Sequence, residues 1–237
     1  MAQQDPREAL RLAVAGLEVS TQLSRDGEAD DPESQLLLLR EMFKAHLRSN
    51  RPRSAHAIAR KMIRLGTLSE VAHADHGRAS VALGWFAQAA QSYRLAARFA
   101  PANRRAVHWA ACGMALWHAA RFVEAQSAIE RALRWSTTTR PLHRAQLALL
   151  AIELGEVPED LHAITADLDA SRVAEGYGKY ILGLLAHQRG DSAKMRVFLQ
   201  AFVERSVRDP LRAATLAGEI QTAQRLLKTS DMDPSLS

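Results

Sequence analysis

Residues 77–96, GRASVALGWFAQAAQSYRLA, and residues 113–132, GMALWHAARFVEAQSAIERA, carry one pattern twice at a separation of 36 residues. Gly77, Phe86, Ala89, Tyr93 and Ala96 recur as Gly113, Phe122, Ala125, Ile129 and Ala132. Two closely packed antiparallel helices require this arrangement: a small residue on one helix, an aromatic after the turn, then a small residue and two apolar ones on the next helix. The pattern predicts an all-α chain of stacked helical hairpins. Its period extends outward, because the turn positions Asn50, Gly84, Ala120, Gly155 and Gly190 are 34, 36, 35 and 35 residues apart. Five hairpins are expected, over residues 33–209.

The recurring residue types have physical roles. Gly77 and Gly113 lack a side chain where the paired helix crosses, so Ala89 and Ala125 are expected to approach closely. Gly84, Gly155 and Gly190 permit a tight reversal, and Pro101 stops a helix. Asp5-Pro6 with Glu8, Asp31-Pro32 and Asp209-Pro210 are helix starts. Helices are expected at 6–22, 33–48, 52–64, 69–83, 86–99, 103–118, 122–134, 141–154, 158–169, 173–188 and 192–206, with two short ones near 210–217 and 220–228. Residues 1–32 form an N-terminal capping helix with an acidic connection over 24–31. Gly218 lies only 28 residues after Gly190, too few for a full hairpin, so 210–229 are expected to cap the C-terminal end. Residues 230–237 are expected to be a disordered tail.

A hydrophobic fraction of 47% with only 5% aromatics suits a soluble helical domain. Thirty-one basic against 26 acidic residues leave a net charge of +5 and a pI near 9.8, which permits an acidic partner without requiring one. The single cysteine, Cys112, falls at a position the repeat buries, so internal disulfides are excluded and a reducing compartment is expected. The first twenty residues alternate charged and apolar groups, unlike a secretory leader, and no stretch is long and apolar enough for a membrane span. Cytoplasmic residence without membrane association follows as an expectation. Phosphate-cradling loops, dinucleotide fingerprints, nucleophile elbows and zinc-spaced cysteines are missing, so neither an enzyme nor a cofactor site is expected. His73 and His76 with Asp75 lack a third ligand nearby in sequence, and no metal site is predicted. The two histidines are read as a polar seam against the preceding hairpin that protonation loosens.

Against the pattern W-x2-L-G-x2-Y followed by A, F, A and P, the best unit runs Gly77, Gly84, Phe86, Ala89, Tyr93, Ala96, Pro101. The next runs Trp109-x2-Cys112-Gly113-x2-Leu116 with Ala125, Ile129 and Ala132. On these residues the chain resembles the tetratricopeptide repeat family, closely over 70–139 and more loosely over 36–69, 141–169 and 176–209. His73 and His76 stand where that family has an aromatic and a leucine, and Thr137 where a second proline would fall. The resemblance implies a right-handed solenoid whose concave face, lined by the first helix of each hairpin, holds another molecule.

In that register the concave positions carry Arg40, Lys44, Arg48, Asp75 and Arg78, then Met114, Trp117 and His118, and finally Tyr177, Tyr180 and His187, interspersed with Gln146, Leu149, Glu153, Leu184 and Gln188. A groove basic at one end and aromatic at the other suits a peptide or helix with an acidic segment and hydrophobic anchors. Two alternatives stay open: Arg40, Lys44 and Arg48 as a solvated helix face, and Met114 and Trp117 as residues covered by a neighbouring helix. Three function classes remain. The first is a non-enzymatic scaffold or adaptor binding a protein or peptide. The second is a nucleic-acid-associated helical repeat protein, encouraged by Arg51, Arg53, Arg60, Arg104 and Arg105 but lacking a base-reading code. The third is an effector-binding sensory or regulatory domain. A chaperone-tail receptor is discounted, since the only asparagines, Asn50 and Asn103, lie at turns.

Overall fold

The computed structural model describes residues 5–25 and 31–232. These residues form thirteen α-helices and no strand: α1 (Pro6–Arg25), α2 (Pro32–Arg48), α3 (Pro52–Leu65), α4 (Ser69–Ala82), α5 (Phe86–Phe99), α6 (Ala102–His118), α7 (Phe122–Trp135), α8 (Arg140–Glu153), α9 (Leu161–Ala170), α10 (Tyr177–Gln188), α11 (Ser192–Val207), α12 (Pro210–Thr215) and α13 (Ala217–Met232). Each helix from α1 to α11 packs on the next. The expected starts are capped as read: Asp31 accepts from the amides of Glu33 and Ser34, and Asp209 from that of Leu211. Residues 26–30 of the acidic connection and 233–237 of the expected tail lie outside the described residues, while 230–232 continue α13.

Asn50, Gly84, Ala120, Gly155 and Gly190 all adopt left-handed backbone, with φ between 53° and 82°. At each, the amide of the following residue bonds five residues back, as Trp85 does to Ser80 at 2.8 Å and Arg121 to Leu116 at 2.9 Å. This closure satisfies carbonyls that the ending helix leaves free and turns the chain directly into the next helix. Four positions hold residues that tolerate φ > 0; Ala120 holds it against its own steric preference.

The crossings are tighter than the echoed pattern conveys. A Cβ on Gly77 would stand 2.7 Å from Tyr93, and one on Gly113 would stand 2.5 Å from Ile129. The side chain that fills each glycine's place is therefore the bulky residue 16 positions on. The carbonyl of Ala125 lies 3.2 Å from the same Gly113 position, and Ala89 and Ala125 are fully buried alongside. A third crossing repeats the rule, with Gly183 of α10 meeting Leu199 of α11 at 2.4 Å.

Between α9 and α10 the expected regularity gives way. Helix α9 begins at Leu161, not 158, and the helix expected from 173 is split into a 3-10 turn (Arg172–Glu175) and α10. The carbonyl of Val173 folds over α10, 2.6 Å from where a Gly178 Cβ would be.

The C-terminal helices touch α11, as end caps would, and also reach back to α2 and α4. Leu211 and Ala214 pack against the core of α2, α3 and α4, while Ile220 and Ala223 are buried with residues of α8, α10 and α11. Gly218 lets α13 sit against Phe86, whose ring would be 2.8 Å from a Cβ there. The segment thus crosses the face shared by α4, α6, α8 and α10.

Gly183→Ala is expected to lower unfolding stability by about 1–3 kcal/mol through overpacking, measured by urea denaturation. The loss should shrink in a Leu199→Ala background, whose own cavity the added methyl partly fills; full additivity of the two would contradict the crossing.

Candidate functional site

The predicted concave residues divide into three groups. Asp75 is buried and accepts from Arg40 Nε at 3.0 Å and from Arg78. Both cations are thus paired with an internal carboxylate while each keeps about a third of its side chain exposed. Lys44 donates to Glu41 Oε1 at 2.6 Å, while Arg48 and His187 occupy the last turns of α2 and α10, His187 exposed. The third group converges. Met114, His118 and Tyr177 line one cavity, with Tyr180 and Trp117 packed beside it. Met114 and Tyr180 do not lie on the open surface expected for them, being 4% and 0% exposed, and Trp117, His118 and Tyr177 are half-buried. The cause is α12 and α13, whose Thr215, Leu216 and Glu219 form the cavity's far wall.

This cavity has a volume of about 430 Å³. Its apolar walls come from Val81 of α4, Ala106, Ala110, Ala111 and Met114 of α6, Leu142 of α8 and Leu216. One polar wall is the turn Ser136–Thr139 with His143 and Gln146. His143 Nδ1 lies 2.8 Å from Gln146 Oε1, and its Nε2 lies 3.1 Å from Thr139 Oγ1, which lies 2.7 Å from Ser136 Oγ. Since the amide oxygen only accepts, the proton is assigned to Nδ1, and Nε2 accepts from Thr139. The relay fixes these side chains on the wall.

Glu219 supplies the opposite wall. Tyr177 donates its hydroxyl to Glu219 Oε1 at 3.0 Å, and Oε2 has no hydrogen-bond partner among the described residues. His118 Nε2, also without one, stands 3.8 Å from that Oε2. Burial pushes the Glu219 carboxyl up to about 7, opposed by its own backbone amide and by Tyr177. Burial pushes His118 down to about 4. Among the described residues no lysine or arginine lines the cavity. The sequence reading missed Glu219 because it lies in the supposed end cap. A signal existed: Leu216, Glu219, Ala223 and Leu226 recur at helical spacing, placing the carboxylate on the buried stripe of α13.

Two other expectations have an outcome. His76 does face the preceding hairpin, its ring 4.4 Å from that of His56, with Nδ1 2.7 Å from Ser92 Oγ, while His73 stacks on Phe99 at 5.7 Å. Of the tryptophans near this region, Trp109 is buried and Trp85 and Trp135 are exposed. Arg131 covers Trp109 and Arg105 covers Trp135, at 4.8 and 4.6 Å, in a shallow outer cleft. Cys112 is buried and its thiol is pushed up to about 11 by burial, so it carries no thiolate chemistry. No helix among the described residues is long and apolar enough to cross a membrane. Neither a protein-family model nor a curated protein sequence matches this chain.

The buried groups give opposing pH dependences. His76 is lowered to about 4 by burial and by His56, His73 and Arg60. Its neutral form therefore contributes stability that is complete above the unfolded value, about 6.5, and is lost as pH falls toward 4. Glu219 is raised, so its contribution is complete below about 4.5 and is lost as pH rises through about 7. Relative to wild type, Glu219→Gln is expected to be more stable by about 1–3 kcal/mol at alkaline pH and no more stable at the acid end, read from thermal melts. The His73→Phe, His76→Leu double variant should lose less stability than wild type on acidification; superimposable acid limbs would remove the seam.

Proposed function

We propose that this chain is an effector-binding regulatory domain: an array of five helical hairpins, tetratricopeptide-like and right-handed, that holds a small molecule between its concave face and its own C-terminal helices. The observation that carries this reading is the cavity of about 430 Å³, within the size of small-molecule sites and too small for a folded segment of a partner. Its composition fits as well, with mostly apolar walls and a few polar groups held in place by Tyr177 and the Thr139–His143–Gln146 relay. A ligand there touches α4, α6, α8 and the α12–α13 segment together. Occupancy is therefore coupled to how the C-terminal helices sit, and a differential affinity for the seated arrangement is what turns binding into regulation.

The adaptor reading has one observation in its favour. The face expected to receive a partner helix already receives helices, α12 and α13, with Leu211, Ile220 and Ala223 as apolar anchors. A partner peptide would bind by exchange with them, and its affinity would be reduced by the free energy of lifting them away.

The neutral fluorophore N-phenyl-1-naphthylamine tests the cavity. Wild-type protein is expected to enhance its fluorescence saturably, and Ala110→Trp, which fills the wall beneath α12, to weaken binding by at least about tenfold, or 1.4 kcal/mol. Equal binding by a folded Ala110→Trp protein would place the dye elsewhere and remove the support for this reading.

A further inference from the structure

We propose that the molecule held in this cavity is an organic amine, bound as its ammonium ion between Glu219 and His118 with its apolar remainder along Met114, Leu142 and Leu216. The inference rests on the ligand-cavity reading above and adds the chemistry of the ligand.

The first ground is charge. In a chain with 31 basic and 26 acidic residues, the cavity is lined by one carboxyl group and, among the described residues, by no lysine or arginine. A carboxylate or phosphate ligand would meet Glu219 without a compensating cation, which a buried site does not tolerate. A cation meets the opposite situation, since it supplies the counter-charge that an ionised Glu219 lacks.

The second ground is unsatisfied hydrogen-bonding capacity. Glu219 Oε1 is served by the Tyr177 hydroxyl at 3.0 Å, whereas Oε2 is buried and has no partner. His118 Nε2 is buried likewise and lies 3.8 Å from Oε2, beyond hydrogen-bond reach. Burial keeps His118 neutral, and in its Nδ1–H tautomer Nε2 accepts. With Glu219 ionised and His118 in that tautomer, two buried acceptors stand side by side with no donor between them. An ammonium group carries three donors and one positive charge and serves both. A hydroxyl has one donor and no charge.

The third ground is the shell around that position. The rings of Tyr93 and Tyr177 line the cavity, and aromatic faces attract a cation placed over them by about 0.5–2 kcal/mol. Other charged groups do not compete for Glu219. Arg78 is turned to Asp75, and Arg225 lines the neighbouring pocket with Trp117 and His118, with no ion pair to Glu219 among the described residues.

A matched series decides the matter: phenylbutylamine, phenylbutanol and phenylbutyrate, titrated calorimetrically into the intact chain near about pH 8, where Glu219 is largely ionised. The amine is expected to bind at least about tenfold more tightly than the alcohol, and the carboxylate most weakly. In Glu219→Gln the amine and the alcohol are expected to differ by less than about twofold, with the alcohol's affinity unchanged. Should that variant not fold, the wild-type series alone decides. Equal affinities for amine and alcohol in wild type would mean that water serves the two acceptors, and would overturn the amine assignment while leaving the cavity reading intact. An amine preference that survives Glu219→Gln would overturn it too. Failure of all three compounds and of N-phenyl-1-naphthylamine to bind would instead overturn the cavity reading itself.

Discussion

Everything in this architecture depends on how closely α4 meets α5, α6 meets α7 and α10 meets α11. At each crossing a glycine leaves a hole that Tyr93, Ile129 or Leu199 fills to within 2.4–2.7 Å of a would-be Cβ. Such contacts admit no sliding, because interiors are packed densely and an added methylene displaces backbone. The partner lies 16 residues after its glycine every time, a distance set by one tight reversal of left-handed backbone. Turn and crossing therefore fix each other: the hydrogen bond closing at Trp85 or Arg121 holds the phase of the second helix, and the glycine holds its distance.

Once successive helices are locked in phase, the even-numbered ones from α4 to α10 present their next-most apolar sides in one direction. Met114, Leu149, Tyr180 and Leu184 all lie there, and an array left open would expose them to water. Burying side chains of that size contributes about 1.5–3 kcal/mol each, a sufficient drive to bring α12 and α13 across. The covering segment is short, only six and sixteen residues long, and it reaches the array at two ends, Leu211 with α2–α4 and Ile220 with α8–α11. A bridge supported at its ends does not fill the middle. The cavity lies between those supports.

The parts of the fold governed by local chemistry were legible in the sequence. All five turn positions, the Asp-Pro starts and the paired glycines could be read because each depends on neighbours in one or two helices. A third paired glycine, Gly183 with Leu199, could have been found by continuing the same spacing for two more repeats. What the sequence concealed was a contact between distant segments. Whether Met114 and Tyr180 face solvent depends on residues more than thirty positions away, and no period in α6 or α10 encodes that. The pairing within the polar stripe was hidden for a related reason: Arg40 and Arg78 are cations on helix faces, but Asp75 is buried between them, and ion pairing across helices is invisible to spacing. The acidic residue on the α13 stripe was the one local clue that this segment was more than a cap.

A carboxyl group at that position is expensive to a fold that gains nothing from it. Glutamine would fill similar space and keep an acceptor for Tyr177, and leucine would remove only that one, yet the chain buries an ionisable group whose proton is held up to about 7 and leaves half of it unpaired. His118, 3.8 Å away, offers no relief, since its own burial keeps it uncharged. Scaffold requirements explain Gly77, Gly113, Gly183 and the five turns and do not explain these two side chains. Their common feature is that an ionised Glu219 and the Nδ1–H tautomer of His118 would both accept from the same addition, a positively charged donor. The close crossings of successive helices account for the packing of the array; the unpaired Glu219 Oε2 and His118 Nε2 at the join of α6 and α13 are what those crossings leave unexplained.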